Sequence, residues 1–172
     1  GVSSAASDVY KRQMLLFSGI GFAQESNNGK QLWAKSFLNE KAPELTVETW
    51  ISKKPDTEGK FVIIDFWATW CGPCRKAIPE LNEIAKEFSK DVVVIGISDE
   101  PVEKIKAMKE PVIEYYYGVD TKKTMDKILE IKGIPHVIII DPKGIVRWEG
   151  FPLLENHKLT PEVVKNLIEK YK

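Results

Sequence analysis

Three buried-strand patterns and two strongly periodic helical patterns organise most of the chain. Phe61-Val62-Ile63-Ile64-Asp65-Phe66 is a continuous apolar run interrupted by one acid. It predicts a strand covered on both faces. The period then changes. Cys74, Ala77, Ile78, Leu81, Ile84, Ala85 and Phe88 recur at spacings of three and four, with Arg75, Lys76, Glu80, Asn82, Glu83, Lys86 and Glu87 on the other face. That is an amphipathic helix, and Pro79 inside it is expected to kink it. Val92-Val93-Val94-Ile95-Gly96-Ile97-Ser98 is a second buried strand. Strand, helix and strand in this order predict a parallel βαβ unit with a right-handed crossover.

The remainder alternates in shorter pieces. Residues 101–109 read as a helix with Pro101 in its first turn, 112–117 as a short strand and 121–131 as another helix. His136-Val137-Ile138-Ile139-Ile140-Asp141 and Ile145-Val146-Arg147-Trp148-Glu149 read as a hairpin joined by Pro142-Lys143-Gly144. Thr160 caps a last helix with Pro161 at its first position and Val163, Val164, Leu167, Ile168 and Tyr171 as its stripe. Residues 53–60, with Pro55 and Gly59, are a charged loop, and Ala42-Pro43-Glu44-Leu45 is extended.

The N-terminus breaks this pattern. Met14-Leu15-Leu16-Phe17-Ser18-Gly19-Ile20-Gly21-Phe22-Ala23 is a short apolar stretch after Lys11 and Arg12. It matches the apolar region and small-residue cleavage site of a secretory signal with an abbreviated start. The expectation is export; a plain apolar tail is the alternative. Residues 1–13 read as vector or adapter sequence, so Lys11 and Arg12 carry little weight as native residues. Residues 1–23 are therefore set outside the fold, and 24–31 are read as a flexible lead-in.

Composition adds exclusions. The 172 residues suffice for a core without cross-links, and 25 Lys and Arg balance 25 Asp and Glu. No basic stripe predicts nucleic-acid binding, and no apolar run is long enough for stable membrane insertion once a signal is removed. A monomer is expected.

The chemistry concentrates in Cys71-Gly72-Pro73-Cys74, which holds the only two cysteines. Thiols three positions apart at a strand-to-helix junction can close a disulfide within the first helical turn. The thiolate is the nucleophile in disulfide exchange. A helix start stabilises it through unpaired backbone N–H groups and the helix dipole. Gly72 permits close backbone approach and Pro73 presets φ for the first turn. Cys71 is thus the expected exposed attacker and Cys74 the shielded resolver. Two alternatives carry less. Half a zinc site lacks a second Cys pair, and His136 and His157 are not spaced to complete one. A permanent structural disulfide would close a very small loop and constrain little.

Asp65 interrupts its strand six positions before Cys71. Turned inward, its carboxyl is costly to ionise and suited to relay the Cys74 proton through water. A strand-end acid that reaches solvent is the plain alternative. Trp67 reads as core and Trp70 as the rim of the site. Ile134-Pro135 opens a strand; the residues alone favour a trans bond. His136 and His157 show no catalytic arrangement.

The run Asp65-Phe66-Trp67-Ala68-Thr69-Trp70-Cys71-Gly72-Pro73-Cys74, with helical Pro79 and a late Gly133-Ile134-Pro135, resembles the active-site signature of the thioredoxin superfamily. The longer 99–132 segment, the export pattern, Ala42-Pro43 and Ile139-Ile140-Asp141-Pro142-Lys143-Gly144 resemble its exported TlpA/ResA-like branch. The resemblance covers residues 32–172 as one thioredoxin-like domain. It implies an α/β thioredoxin fold: a mixed sheet of four or five strands, helices on both faces and an insertion before the cis-Pro strand. It implies Cys71 as nucleophile, Cys74 as resolver and Asp65 as buried acid. It makes Pro135 cis and close to Cys71, where it shapes the peptide groove and keeps metals away. Trp70, Gly72, Pro73, Ile134 and Pro135 become the substrate-binding set, with no metal and no cofactor beyond the Cys71–Cys74 disulfide.

The expected activity is thiol:disulfide exchange on disulfide-containing proteins in a bacterial periplasm, fed by an upstream membrane thiol electron donor. The alternatives are a thiol peroxidase and a thioredoxin-fold binding or chaperone module without turnover. A separated peroxidatic Thr-x-x-Cys pattern is absent. Gly-Pro between the cysteines points to the reducing end of a scale that runs from about −270 mV to about −120 mV. His136 stands where these families often have Thr. Ala77 stands where cytochrome c-maturation members carry a functional Glu, which weakens that substrate assignment.

Overall fold

The computed structural model describes residues 32–172; the apolar N-terminal stretch and the 24–31 lead-in lie outside the described residues. Six strands form one sheet in the order β1-β4-β3-β2-β5-β6. They are β1 (Thr49–Trp50), β2 (Phe61–Phe66), β3 (Val92–Ser98), β4 (Tyr116–Val119), β5 (His136–Ile140) and β6 (Val146–Gly150). The helices are α1 (Gly72–Glu87), α2 (Val102–Ala107), α3 (Thr124–Leu129) and α4 (Pro161–Tyr171), with a 3-10 turn at Glu155–His157. The sheet is mixed: β2–β3 and β3–β4 are parallel, while β2–β5, β5–β6 and β1–β4 are antiparallel. Every residue of the central β2 and β3 is buried, as their continuous apolar runs require.

The expected four or five strands become six. The added β1 pairs only Thr49 with Val119 and Trp50 with Gly118, and two residues display no period to read. The short strand expected over 112–117 forms later, at Tyr116–Val119. Its leading residues serve α1 instead. Asn82 donates from Nδ2 to the Val112 carbonyl (2.9 Å) and accepts from Glu114 N–H (2.9 Å). The helix expected over 121–131 is shorter because Lys123 (φ 56°) and Glu130 (φ 49°) flank it in the left-handed conformation. Asp120 Oδ2 accepts from the N–H groups of Thr124 (2.6 Å) and Met125 (3.1 Å) at its start. The 101–109 helix likewise contracts to Val102–Ala107. α1 runs unbroken through Pro79, which lies exposed.

Alternation along β2 sorts the core into two layers. Phe61 and Ile63 pack with α1, Ile105 of α2 and Val164 of α4. Val62, Ile64 and Phe66 pack on the opposite face with Met125 and Leu129 of α3 and with Phe37, Leu45 and Val47 before β1. Helices thus cover both faces. The segment before β1 is tied down by Glu149 of β6, which accepts hydrogen bonds from the Ser36 hydroxyl and from Phe37 N–H (2.8 Å).

Candidate functional site

β2 ends at Phe66, and the chain turns into α1 within six residues. Cys71 N–H donates to the Ala68 carbonyl at 3.1 Å, closing a turn with Thr69 and Trp70 at its centre. Cys71 is then the N-cap of α1 in an extended conformation, with Gly72 and Pro73 opening the helix. Its sulfur accepts from Cys74 N–H at 3.2 Å. The two cysteines form a disulfide with Cα atoms 5.2 Å apart. The helix start predicted to stabilise a thiolate therefore holds Cys71 in place.

Exposure orders the two sulfurs as expected but corrects the degree. Cys74 is fully buried, whereas the expected exposed attacker Cys71 retains only 4% of its surface. Openness comes from its neighbours: Gly72 and Pro73 are exposed, and Trp70 is 69% exposed at the rim. A Cβ built on Gly72 meets nothing within 4 Å. The Ile134–Pro135 bond is cis, against the reading from residues alone and in line with the resemblance. Ile134 is half-buried and Pro135 buried. A cavity of about 190 Å³ is lined by Trp67, Trp70, Gly133 and Ile134, and by Lys123 and Asp126 of the α3 region.

Asp65 is completely buried. Strand alternation places it on the face of Phe61 and Ile63, whose core layer includes both cysteines. Burial pushes its carboxyl up to about 7, opposed by the Tyr115 hydroxyl, which donates to Oδ2 at 3.2 Å. Among the described residues neither Oδ1 nor the buried Trp67 Nε1 has a hydrogen-bond partner. Burial, reinforced by the nearby Asp65 charge, raises the Tyr115 hydroxyl well above its ordinary value, so it remains a donor. The solvent-reaching alternative for Asp65 is excluded. Trp67 is core, as read from the sequence.

Gly96 makes this arrangement possible. It pairs with Asp65 across β2 and β3. A Cβ there would lie 3.0 Å from Trp67 Nε1 and 3.1 Å from Tyr115 Cε2. Gly96→Ala is expected to destabilise the protein by about 1–3 kcal/mol through overpacking and to loosen the Tyr115–Asp65 bond. Denaturant midpoints measure the first effect; an unchanged midpoint would show that both rings yield freely.

Two participants escaped the sequence reading. Tyr115 is fifty positions from Asp65. Glu100, 6% exposed, accepts from Thr69 N–H at 2.6 Å and from the Thr69 hydroxyl at 2.8 Å. It also pairs with Lys104 Nζ at 2.7 Å. Burial raises the Glu100 carboxyl, but the Lys104 and Thr69 hydrogen bonds outweigh it and hold the group below its usual range. Only distant pairing across the sheet brings these residues to the site. His136 is buried in β5 against Phe66, and His157 stacks on Trp148 at 4.7 Å. Among the described residues no group of three or more His, Cys, Asp or Glu could hold a metal ion.

A mixed sheet with helices on both faces, and a Cys-X-X-Cys disulfide capping the helix after a central strand, define the class: a thioredoxin-fold protein of the thiol-disulfide oxidoreductase type. Within that class the chain belongs to the AhpC/TSA family, which matches residues 38–149. It is 27% identical over 115 residues to the thioredoxin-like protein YneN of Bacillus subtilis, covering 63% of this chain and 68% of that protein. It is 26% identical over 111 residues to the thiol-disulfide oxidoreductase ResA of the same organism, covering 61% of this chain and 62% of that protein. The match thus spans under two thirds of ResA's own length. The crystal structure of the thioredoxin domain of a thiol-disulfide oxidoreductase from Bacteroides vulgatus superposes with a TM-score of 0.60 at 26% identity, over 77% of this chain and 96% of that one.

Proposed function

We propose that this chain is an exported thiol:disulfide oxidoreductase that reduces disulfides in proteins. The observation that carries the reading is the Cys71–Cys74 disulfide at the start of α1, with Asp65 buried on the same face of the sheet. In the reduced enzyme the Cys71 thiolate attacks a substrate disulfide. One substrate sulfur leaves as a thiolate, and the other joins Cys71 in a mixed disulfide. Cys74 then gives its proton to Asp65 through water and attacks the Cys71 sulfur. The second substrate thiolate leaves, and the Cys71–Cys74 disulfide returns. A pKa near 7 lets Asp65 accept and release that proton at neutral pH.

Trp70, Gly72, Pro73, Ile134 and Pro135 are the proposed contact surface for the substrate polypeptide. Export rests on the sequence of residues 14–23, and the reducing direction on the Gly72-Pro73 dipeptide. A membrane thiol donor then restores the dithiol. Apocytochrome c is not favoured as substrate: Ala77 is buried where a functional Glu would be needed.

Family membership gives weight to a thiol peroxidase as the second reading. Against it, the position three before Cys71 is buried Ala68, which carries no hydroxyl. Insulin reduction by dithiothreitol separates the readings. Catalysed precipitation of insulin chains is the expected result. Peroxide consumption without insulin reduction would replace this reading with the peroxidase, and neither activity would favour a binding module.

A further inference from the structure

We infer that Glu100 is a positioning residue: it holds the turn that delivers Cys71 to the N-cap of α1. The inference rests on the thiol-disulfide reading of that cysteine and goes one residue beyond it.

The Ala68–Cys71 turn is closed by one backbone hydrogen bond, Cys71 N–H to the Ala68 carbonyl. Thr69 sends both its N–H and its hydroxyl into the two oxygens of Glu100. Both donors lie on one residue and both acceptors on one carboxylate, so the contact fixes orientation as well as distance. The carboxylate is in turn restrained. Lys104, in the first turn of α2, pairs with it at 2.7 Å, and the Ser98 hydroxyl donates to its Oε2 at 3.4 Å. The turn before the reactive cysteine is thereby fastened to the end of β3 and the start of α2.

This clamp has a chemical consequence. A thiolate at Cys71 is stabilised only while its sulfur faces the free N–H groups of the first helical turn. Releasing Thr69 lets the turn relax and the sulfur leave that position. The charge of Glu100 itself acts the other way, since an anion near Cys71 would disfavour a thiolate, and its pairing with Lys104 tempers that effect. Arg75 and Lys76 on α1 and Asp65 on β2 stay unchanged in the variants below. Positioning and charge therefore predict opposite signs for the same substitution.

The test uses the reduced protein and the thiolate absorbance of Cys71 across pH, in a Cys74→Ser background so that one thiol titrates. Glu100→Gln is expected to raise the midpoint by about one pH unit, the scale of a helix N-terminal contribution. Glu100→Asp, which keeps the charge and loses the reach, is expected to move it the same way. A midpoint that stays or falls in Glu100→Gln overturns the inference. If Glu100→Gln does not fold, Thr69 decides. Thr69→Ala, which removes one of the two donors, should raise the midpoint, and Thr69→Ser, which keeps both, should not; equal midpoints overturn the inference. No substrate enters this measurement. A wild-type protein inactive on insulin would defeat the proposed function and leave the positioning of Cys71 to stand or fall alone.

Discussion

Cys74→Ser is expected to accumulate covalent complexes with disulfide-bearing proteins, while Cys71→Ser accumulates none. The asymmetry follows from access. Cys74 is fully buried beneath the first turn of α1, and Cys71 keeps a small exposed surface between Trp70 and Gly72. An incoming disulfide must align its two sulfurs with the attacking thiolate, which only the outer cysteine permits. Once the mixed disulfide forms, Cys74 lies one helical turn away, its N–H 3.2 Å from the Cys71 sulfur. Replacing its thiol by a hydroxyl leaves attack intact and removes resolution. Turnover on insulin should fall to background in both variants, so turnover alone does not discriminate. Non-reducing gels do: a ladder of adducts in Cys74→Ser, sensitive to dithiothreitol and absent from Cys71→Ser, is the expected pattern. Equal trapping by the two variants would overturn the assignment of attacker and resolver. The small exposed surface of Cys71 adds a further expectation. A bulky thiol reagent should react much more slowly with the reduced protein than with a free cysteine at equal thiolate fraction, because the rim sets access.

How far the sequence foretold this site depends on the range of each contact. The Cys71-Gly72-Pro73-Cys74 run sits on a single strand-to-helix junction, so local periodicity sufficed to place it at the start of α1. Asp65 was legible for the same reason: an acid inside an apolar strand must either be buried or lie at its end, and alternation chose a face. The rise in its pKa was legible too, since burial is its main cause, but its hydrogen-bond donor was not: Tyr115 comes from the segment leading into β4. That segment was misread as the strand itself. Val112 and Ile113 look strand-like, yet Asn82 ties Val112 and Glu114 to α1, and pairing with β3 begins only at Tyr116. Glu100 gave no signal, since an acid after a strand is ordinarily a solvated residue. β1 was invisible because two residues have no period. The four-or-five-strand expectation failed there and nowhere in the central strands, whose apolar runs demand burial on both faces.

Asp65→Asn is expected to separate the cost of burying this acid from its use. The carboxyl ionises near 3.8 in the unfolded chain and near 7 in the folded one, because burial disfavours the charged form. Between these values the folded protein keeps a proton that the unfolded chain has released. Stability is therefore greatest below about pH 3.8, as far as this group is concerned, and is lost as pH rises through about 7. At about 1.4 kcal/mol per unit, the full loss is on the order of 4 kcal/mol. Asparagine never ionises, so the variant's stability relative to wild type should improve from pH 4 to about pH 7, by up to that amount, and level off by pH 8. Denaturant midpoints of the oxidised proteins at the two pH values measure it; a difference that does not change with pH would mean that Asp65 is not held protonated by the fold. The catalytic cost should appear in one step only. Attack by Cys71 has no use for Asp65 and should proceed as in wild type. Resolution by Cys74 must remove a proton from a buried thiol, and without the carboxyl it should slow by on the order of 10²-fold near pH 8. Wild-type resolution should also lose rate as pH falls through about 7, where Asp65 takes up its own proton, and the variant should lack that inflection. Stopped-flow measurement of the two steps decides the matter: if neither changes, the acid beneath the disulfide is a burden on folding with no part in moving the proton.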